Sequence, residues 1–354
     1  MKHRFSRAYR RHASLAVAAA VAACAVALPA VANAEWQRGV NFTTYKPNAY
    51  AMPGTTTSLQ RVAADGNDSV EIVSTWYSAN ATSNSIAPDS TRTPTDYSVL
   101  QAMQTARSQG LGVVLKPHVD INDGTWRGAI HPTDPSAWFA SYRSFIDHYA
   151  DLAQQGGAKM FVIGDELKTL TGSVYAADWK SLIADVRQRF SGKLTYAANY
   201  DEYQNVSFWT SLDYVGVDAY FGLSSTNDPS VADLVSAWTS RGYIASLRNE
   251  AFATGKPVLF TEIGYRSAPD TSIHPGWWST ASVVDQAAQA NAYEAAFEAF
   301  AGRGWFAGMY WWNWPAGLPA DGNNSDYLPY LKPAETVLKT WNATLGPVNS
   351  LTTG

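Results

Sequence analysis

Two glutamates close short apolar runs, Phe161-Val162-Ile163-Gly164-Asp165-Glu166 and Val258-Leu259-Phe260-Thr261-Glu262. Two carboxyl groups that face one site are what glycoside hydrolysis requires. One holds a proton for the leaving oxygen, while the other stays ionised to attack or to activate water. The competing reading is a pair of salt-bridged glutamates that only cap strands. For either glutamate alone the two readings weigh about equally, so the decision rests on whether one architecture brings both to the same place.

That architecture shows as a recurring alternation. β-rich apolar runs fall at residues 39–42, 69–75, 112–116, 160–164, 194–198, 214–218, 257–261 and 308–312. Helical stretches lie between several of them. Tyr97, Leu100, Met103 and Ala106 are spaced for one helix face, with Gly110 as the stop, and Trp179, Ile183, Val186 and Phe190 form a second stripe. Eight strand–helix units predict an α/β fold, a single (β/α)8 TIM barrel. The first strand is followed by Thr-Thr-Tyr-Lys-Pro with no Gly-rich phosphate loop, which argues against an open doubly wound sheet. Chemistry in a barrel sits at the C-terminal ends of its strands. Glu166 and Glu262 end the fourth and seventh runs, so the barrel puts both on that face, and the reading as two strand caps loses ground.

The 354 residues suffice for one such barrel, and 46% hydrophobic against 16% charged residues excludes disorder as the main state. Five basic residues (Lys2, Arg4, Arg7, Arg10, Arg11) and no acidic one lie in the first 34, which leaves 21 basic against 30 acidic, a net charge of −9. So acidic a body repels phosphate backbones and anionic lipid, and neither nucleic acid nor a membrane surface is an expected partner. The basic start, the Ala-rich apolar stretch and Ala32-Asn33-Ala34 predict a signal peptide over residues 1–34, cleaved after Ala34, and hence export. The only cysteine, Cys24, is lost with it, so no disulfide, thiol nucleophile or thiolate metal site is expected. Residues 35–341 form the expected catalytic domain and 342–354 a loose tail. The remaining histidines (His118, His131, His148, His274) lack metal-ligand spacing, so no metal or other cofactor is implied. Asp321, Asn323 and Ser325 lack the Gly and distal Glu of a calcium loop and predict a polar turn. No G-x-S-x-G occurs, which argues against a serine esterase.

The chain resembles the clan A retaining glycoside hydrolases, most closely the family 113 β-mannanases. The resemblance runs through Ser74-Thr75-Trp76-Tyr77, Leu115-Lys116-Pro117-His118-Val119-Asp120, Trp126-Arg127-Gly128, Gly164-Asp165-Glu166-Leu167, the DYVGVDAYF stretch at 213–221, FTEIGY at 260–265 and YWWNW at 310–314. It implies Glu166 as acid/base and Glu262 as nucleophile, with a β-linked polysaccharide, β-1,4-mannan by family, as substrate and partner. In the clan an Asn that holds the sugar 2-OH usually precedes the acid/base; Asp165 stands here. Other glycans (β-glucan, xylan, chitosan or an exopolysaccharide) remain open for that reason. A barrel that only binds glycans is opposed by the presence of both glutamates.

Around the pair, Trp76, Lys116, His118, Asp120, Trp126, Arg127, Asp165, Asn199, Tyr220 and Trp312 are the candidate substrate-binding residues. His118 and Asp120 suit sugar hydroxyls or the orientation of Glu166, against a structural histidine as the alternative. Trp126 suits stacking on a pyranose face, and Tyr220 suits a hydrogen bond that keeps Glu262 ionised. Strand alternation puts Trp311 and Trp312 on opposite faces, and Trp312 is the one expected to floor the site. Trp277-Trp278, in the loop after Glu262, are expected at an outer subsite. A monomer is the expected state.

Overall fold

The computed structural model describes residues 34–278 and 283–345. The expected signal peptide, apart from Ala34, and all of the expected tail after Leu345 lie outside the described residues. All eight apolar runs are strands: β1 (Gln37–Thr43), β2 (Ser69–Ser78), β3 (Gly112–Ile121), β4 (Met160–Asp165), β5 (Lys193–Asn199), β6 (Val215–Asp218), β7 (Val258–Ile263) and β8 (Phe306–Pro315). They pair in parallel, each with its neighbour in sequence, and β8 closes on β1. β3 runs past Pro117 because it pairs with β4 only at Val114 and Leu115, so the missing proline N–H falls where that ladder has ended.

The helices α1 (Pro53–Ala64), α2 (Asp96–Ser108), α3 (Pro135–Gly156), α4 (Ala176–Arg189), α5 (Val231–Ser240), α6 (Tyr243–Thr254), α7 (Gln286–Phe300) and α8 (Pro333–Thr344) surround the barrel. The strict one-helix-per-strand pattern fails twice: β5 and β6 are joined by two 3₁₀ turns, at Tyr203–Asn205 and Trp209–Ser211, while two helices join β6 to β7. The expected face of α2 is also corrected. Tyr97 is exposed, and Val99, Ala102, Met103 and Ala106 are buried. Repeated steps of three turn the helix by about 60° each, so nine residues reach the opposite side. Gly110 does end the turn after α2, with φ of 80°. At the other end, α8 carries the fold three residues past the expected boundary at Trp341. Its Asn342 is buried and donates to the Asp65 carbonyl at 3.0 Å.

Val114, Met160, Val162, Ala197, Leu259, Ala307 and Tyr310 fill the barrel interior, while a larger apolar cluster packs strands against helices. Alternation continues the inner face of β3 from Val114 through Lys116 and His118 to Asp120. The barrel thus passes from an apolar floor to a charged upper layer within one strand. Among the described residues no helix is long and apolar enough to cross a membrane.

Candidate active site

Glu262 on β7 is 6% exposed and held from two sides. Its Oε1 lies 2.6 Å from Lys116 Nζ, and its Oε2 accepts a 2.7 Å hydrogen bond from the Tyr220 hydroxyl. Burial raises its pKa and nearby Asp218 adds to the rise, while the Lys116 ammonium and the Tyr220 hydroxyl pull it back towards the charged form.

Glu166 leaves β4 in the left-handed region, with φ of 49°, a conformation that disfavours a residue with a Cβ. β5 holds it there: the Glu166 N–H donates to the Ala197 carbonyl at 2.8 Å, and the Leu167 N–H to the Tyr196 hydroxyl at 2.6 Å. Gly164 allows that approach, since a Cβ there would stand 2.9 Å from the Tyr196 ring of β5 and 2.5 Å from the Tyr142 hydroxyl of α3. Trp126 donates from Nε1 to Glu166 Oε2 at 2.8 Å. Burial, then the charges of Asp218 and Glu262, push the Glu166 carboxyl up to about 8, against the pull of Arg127 and Trp126. The two glutamates therefore have unlike surroundings: one is clamped by a cation, the other rests beneath an indole N–H.

Arg127 ties the remaining groups together. It pairs with Asp120 at 2.6 Å, with Asp165, and with His118 Nδ1 at 3.1 Å. A guanidinium can only donate, so Nδ1 accepts and the His118 proton is assigned to Nε2. Burial and the cations Arg127 and Lys116 drive the His118 pKa well down, so this histidine is neutral. Trp312 lies parallel to it, with ring centres 6.0 Å apart at 9°. Trp311 faces outward onto Tyr293 of α7 at 3.7 Å. Asn199 ends β5 with its side-chain oxygen buried and unpartnered.

One expected binding residue stands elsewhere, and another is buried within the site. Trp76 faces α3, packed against Phe145 at 5.2 Å and Tyr149 at 6.0 Å, because it has the opposite parity to inward Glu71 on the same strand. Lys116 is fully buried and does not present itself to a ligand. Its ammonium meets Glu262 at 2.6 Å, Asp165 at 3.0 Å, Asp218 at 3.4 Å and Glu71 at 3.5 Å. These carboxylates more than offset the cost of burial and raise its pKa. Asp218 and Glu71 belong to this network and are not among the residues expected from the sequence. The signal was present: each is a lone charge in an apolar run, Val-Gly-Val-Asp and Val-Glu-Ile. Burial pushes Glu71 up to about 8. Tyr45, after β1, lies within electrostatic reach of Asp120, Arg127 and Glu262 and was also missed.

His118, Asp165 and Glu262 bring three potential metal-ligand atoms within 4.8 Å of one another. The Lys116 ammonium already bonds both carboxylates, so the cation that this cluster needs is supplied by the chain. Dialysis against EDTA is expected to leave activity unchanged; a loss reversed by a divalent cation would contradict this. A cleft of about 480 Å³ at the opposite end of the barrel, lined by Arg38, Asp68, Lys159 and Tyr214 among others, is remote from both glutamates.

The sequence profile of Glycoside Hydrolase Family 113 matches residues 40–332. The chain belongs to this family. It is accordingly a retaining glycoside hydrolase. Among solved structures, it is similar to a family 113 β-mannanase from Alicyclobacillus acidocaldarius in complex with ManMIm, at 28% identity, TM-score 0.80, covering 88% of this chain and 98% of that one. It is also similar to a family 113 β-1,4-mannanase solved as a complex, at 25% identity and TM-score 0.78, covering 88% and 99%. A Bifidobacterium longum GH5_18 structure shares the fold at 15% identity and TM-score 0.58, covering 87% and 78%. No curated protein matches the chain in sequence.

Proposed function

We propose that this family 113 chain is an exported, monomeric endo-β-1,4-mannanase that works by double displacement, with Glu262 as nucleophile and Glu166 as acid/base. The observation that carries the assignment of roles is the contrast between the two carboxyls. Burial raises both carboxyls, but Glu262 is drawn back towards the carboxylate by an ammonium and a phenol, whereas Glu166 is raised to about 8 and so holds a proton at neutral pH. The mannan substrate is supported by the similarity to the two family 113 mannanases. Export rests on the sequence of residues 1–34.

In this mechanism a sugar ring lies against Trp312. Glu262 attacks the anomeric carbon as the glycosidic bond breaks, and the Glu166 proton passes to the departing oxygen. The negative charge thereby moves from Glu262 to Glu166, while Lys116 remains paired with Asp165 and Asp218 and Arg127 with Asp165. Glu166 then takes a proton from water, which attacks the same carbon and releases Glu262 with net retention. The carboxyl groups are expected about 5–5.5 Å apart, as retention requires. Asp165, paired with two cations, is suited to accept a hydrogen bond from the sugar 2-OH.

The substrate reading is tested by hydrolysis of mannan, xylan, β-glucan and chitosan with sizing of the products. Mannan is expected to yield a ladder of oligosaccharides, and cleavage of another polymer in its place would refute the substrate. The pH profile tests the role of Glu166. A general acid must be protonated, so kcat/KM is expected to fall as pH rises through about 8. With Glu166→Ala that alkaline limb should vanish, while azide restores turnover of a substrate with a good leaving group and retained configuration. An unchanged limb in the variant would remove Glu166 from the mechanism.

A further inference from the structure

Glu202, just past the end of β5, is buried and takes no part in the site described above. Its carboxylate is met by three neutral donors. The Tyr196 hydroxyl at 2.8 Å and the Thr171 hydroxyl at 2.9 Å share Oε1, and the Asn199 N–H reaches Oε2 at 3.0 Å. Burial raises its pKa, and the same three donors pull it back towards the carboxylate. A buried carboxylate is costly unless donors satisfy it, so the identity of those donors matters. Two of them lead to the two ends of one short segment, the residues that follow Glu166.

The first end is Leu167, whose N–H donates to the Tyr196 hydroxyl at 2.6 Å. An amide N–H can only donate, so the phenol accepts there and its single proton is left for Glu202. Bonds in such a chain polarise one another, so a phenol that donates to a carboxylate is the better acceptor for the amide. The Tyr196 ring is packed against Trp179 at 5.5 Å and Phe208 at 5.5 Å, which fixes its hydroxyl. The second end is Thr171, which follows the 3₁₀ turn Lys168–Leu170 and bonds Glu202 directly. Between the two ends, Thr169 donates to the Ile130 carbonyl, in the stretch that also carries Trp126, the donor to Glu166. An exposed Lys168–Asp201 pair joins the same two parts of the chain at the surface, where it adds little.

Glu166 stands immediately before this segment with φ of 49°. Such a conformation persists only where the surrounding bonds over-determine it. The Glu166 N–H bond to the Ala197 carbonyl fixes one side of the residue. The chain from Leu167 through Tyr196 to Glu202 fixes the other. We propose that Glu202 is a positioning residue for the acid/base, which through Tyr196 and Thr171 holds the backbone after Glu166 and so aims the Glu166 carboxyl at the departing oxygen. The proposal rests on the role of Glu166 proposed above and deepens it.

The test compares kcat/KM for β-1,4-mannotetraose and 2,4-dinitrophenyl β-mannobioside in the full chain and in Glu202→Gln. A sugar leaves with a proton from Glu166, whereas dinitrophenolate departs as a stable anion and does not need the acid. Gln keeps the size of the side chain but turns an NH₂ group towards one of the three donors. The variant is expected to lose about 10- to 100-fold on the tetraose, a part of the ~10²–10⁴-fold that a positioned acid supplies, and less than about threefold on the aryl substrate. Tyr196→Phe should show the same split, and the double variant should lose no more than the larger single loss, because both substitutions cut one chain of bonds. An equal loss on both substrates would make Glu202 a support of the fold alone, and unchanged values on both would remove it from the mechanism; either overturns the proposal. If Glu202→Gln does not fold, the same comparison in Tyr196→Phe, which keeps the ring, decides. If the unaltered chain hydrolyses neither substrate, or if Glu166→Ala shows no such split, the function proposed above fails instead.

Discussion

Glu262→Ala is expected to lower kcat by at least about 10⁴-fold, the scale on which removal of a covalent nucleophile acts. No other described carboxylate stands as its substitute: Asp165 and Asp218 share the Lys116 ammonium, and Asp165 is also paired with Arg127. Azide should not restore the β-configured product in this variant, in contrast to Glu166→Ala. The loss is to be measured by single-turnover release from an activated aryl glycoside. Near-normal turnover in Glu262→Ala would refute the mechanism.

Lys116→Met is expected to have the next largest effect, and the effect has a direction in pH. The ammonium serves four carboxyls within 3.5 Å. Removing one partner from a buried ionic cluster costs about 3–5 kcal/mol, because the charges left behind lose their counterion. The variant should therefore have a lower Tm, and the unpaired carboxyls should take up protons. Lys116 lowers the pKa of Glu262, so its removal raises it. A nucleophile must be ionised, and the acidic limb of kcat/KM is expected to move to higher pH. Activity should fall about 10²-fold or more at the optimum of the unaltered chain and recover in part as pH rises. A uniform loss with the limb in place would mean that Lys116 supports the fold alone.

The eight strands were legible because each is an apolar run with a β-rich composition, and a parallel barrel buries both faces of its strands. Glu166, Glu262, Asp165, Tyr220 and Trp312 could be located because each follows or ends such a run. Trp76 shows the limit of that reasoning. Position along a strand places a residue near the site, but parity decides whether it faces the barrel or a helix, and parity needs an anchor such as Glu71. Lys116, Glu71 and Asp218 show a second limit. A charge inside an apolar run announces a buried partner, yet the four strands β2, β3, β6 and β7 that bring these residues and Glu262 together are far apart in sequence. The α2 face failed for a local reason, since a run of threes drifts around a helix, and the missing helix between β5 and β6 is replaced by turns.

Glu262 is the residue expected to become glycosylated. This is tested most directly by incubating the protein with an activated 2-deoxy-2-fluoro-β-mannoside, whose fluorine slows release of the intermediate, and then mapping the labelled peptide by mass spectrometry. One sugar per chain is expected, on Glu262, and none in Glu262→Ala. A label on Glu166, or the same labelling in Glu262→Ala, would contradict it.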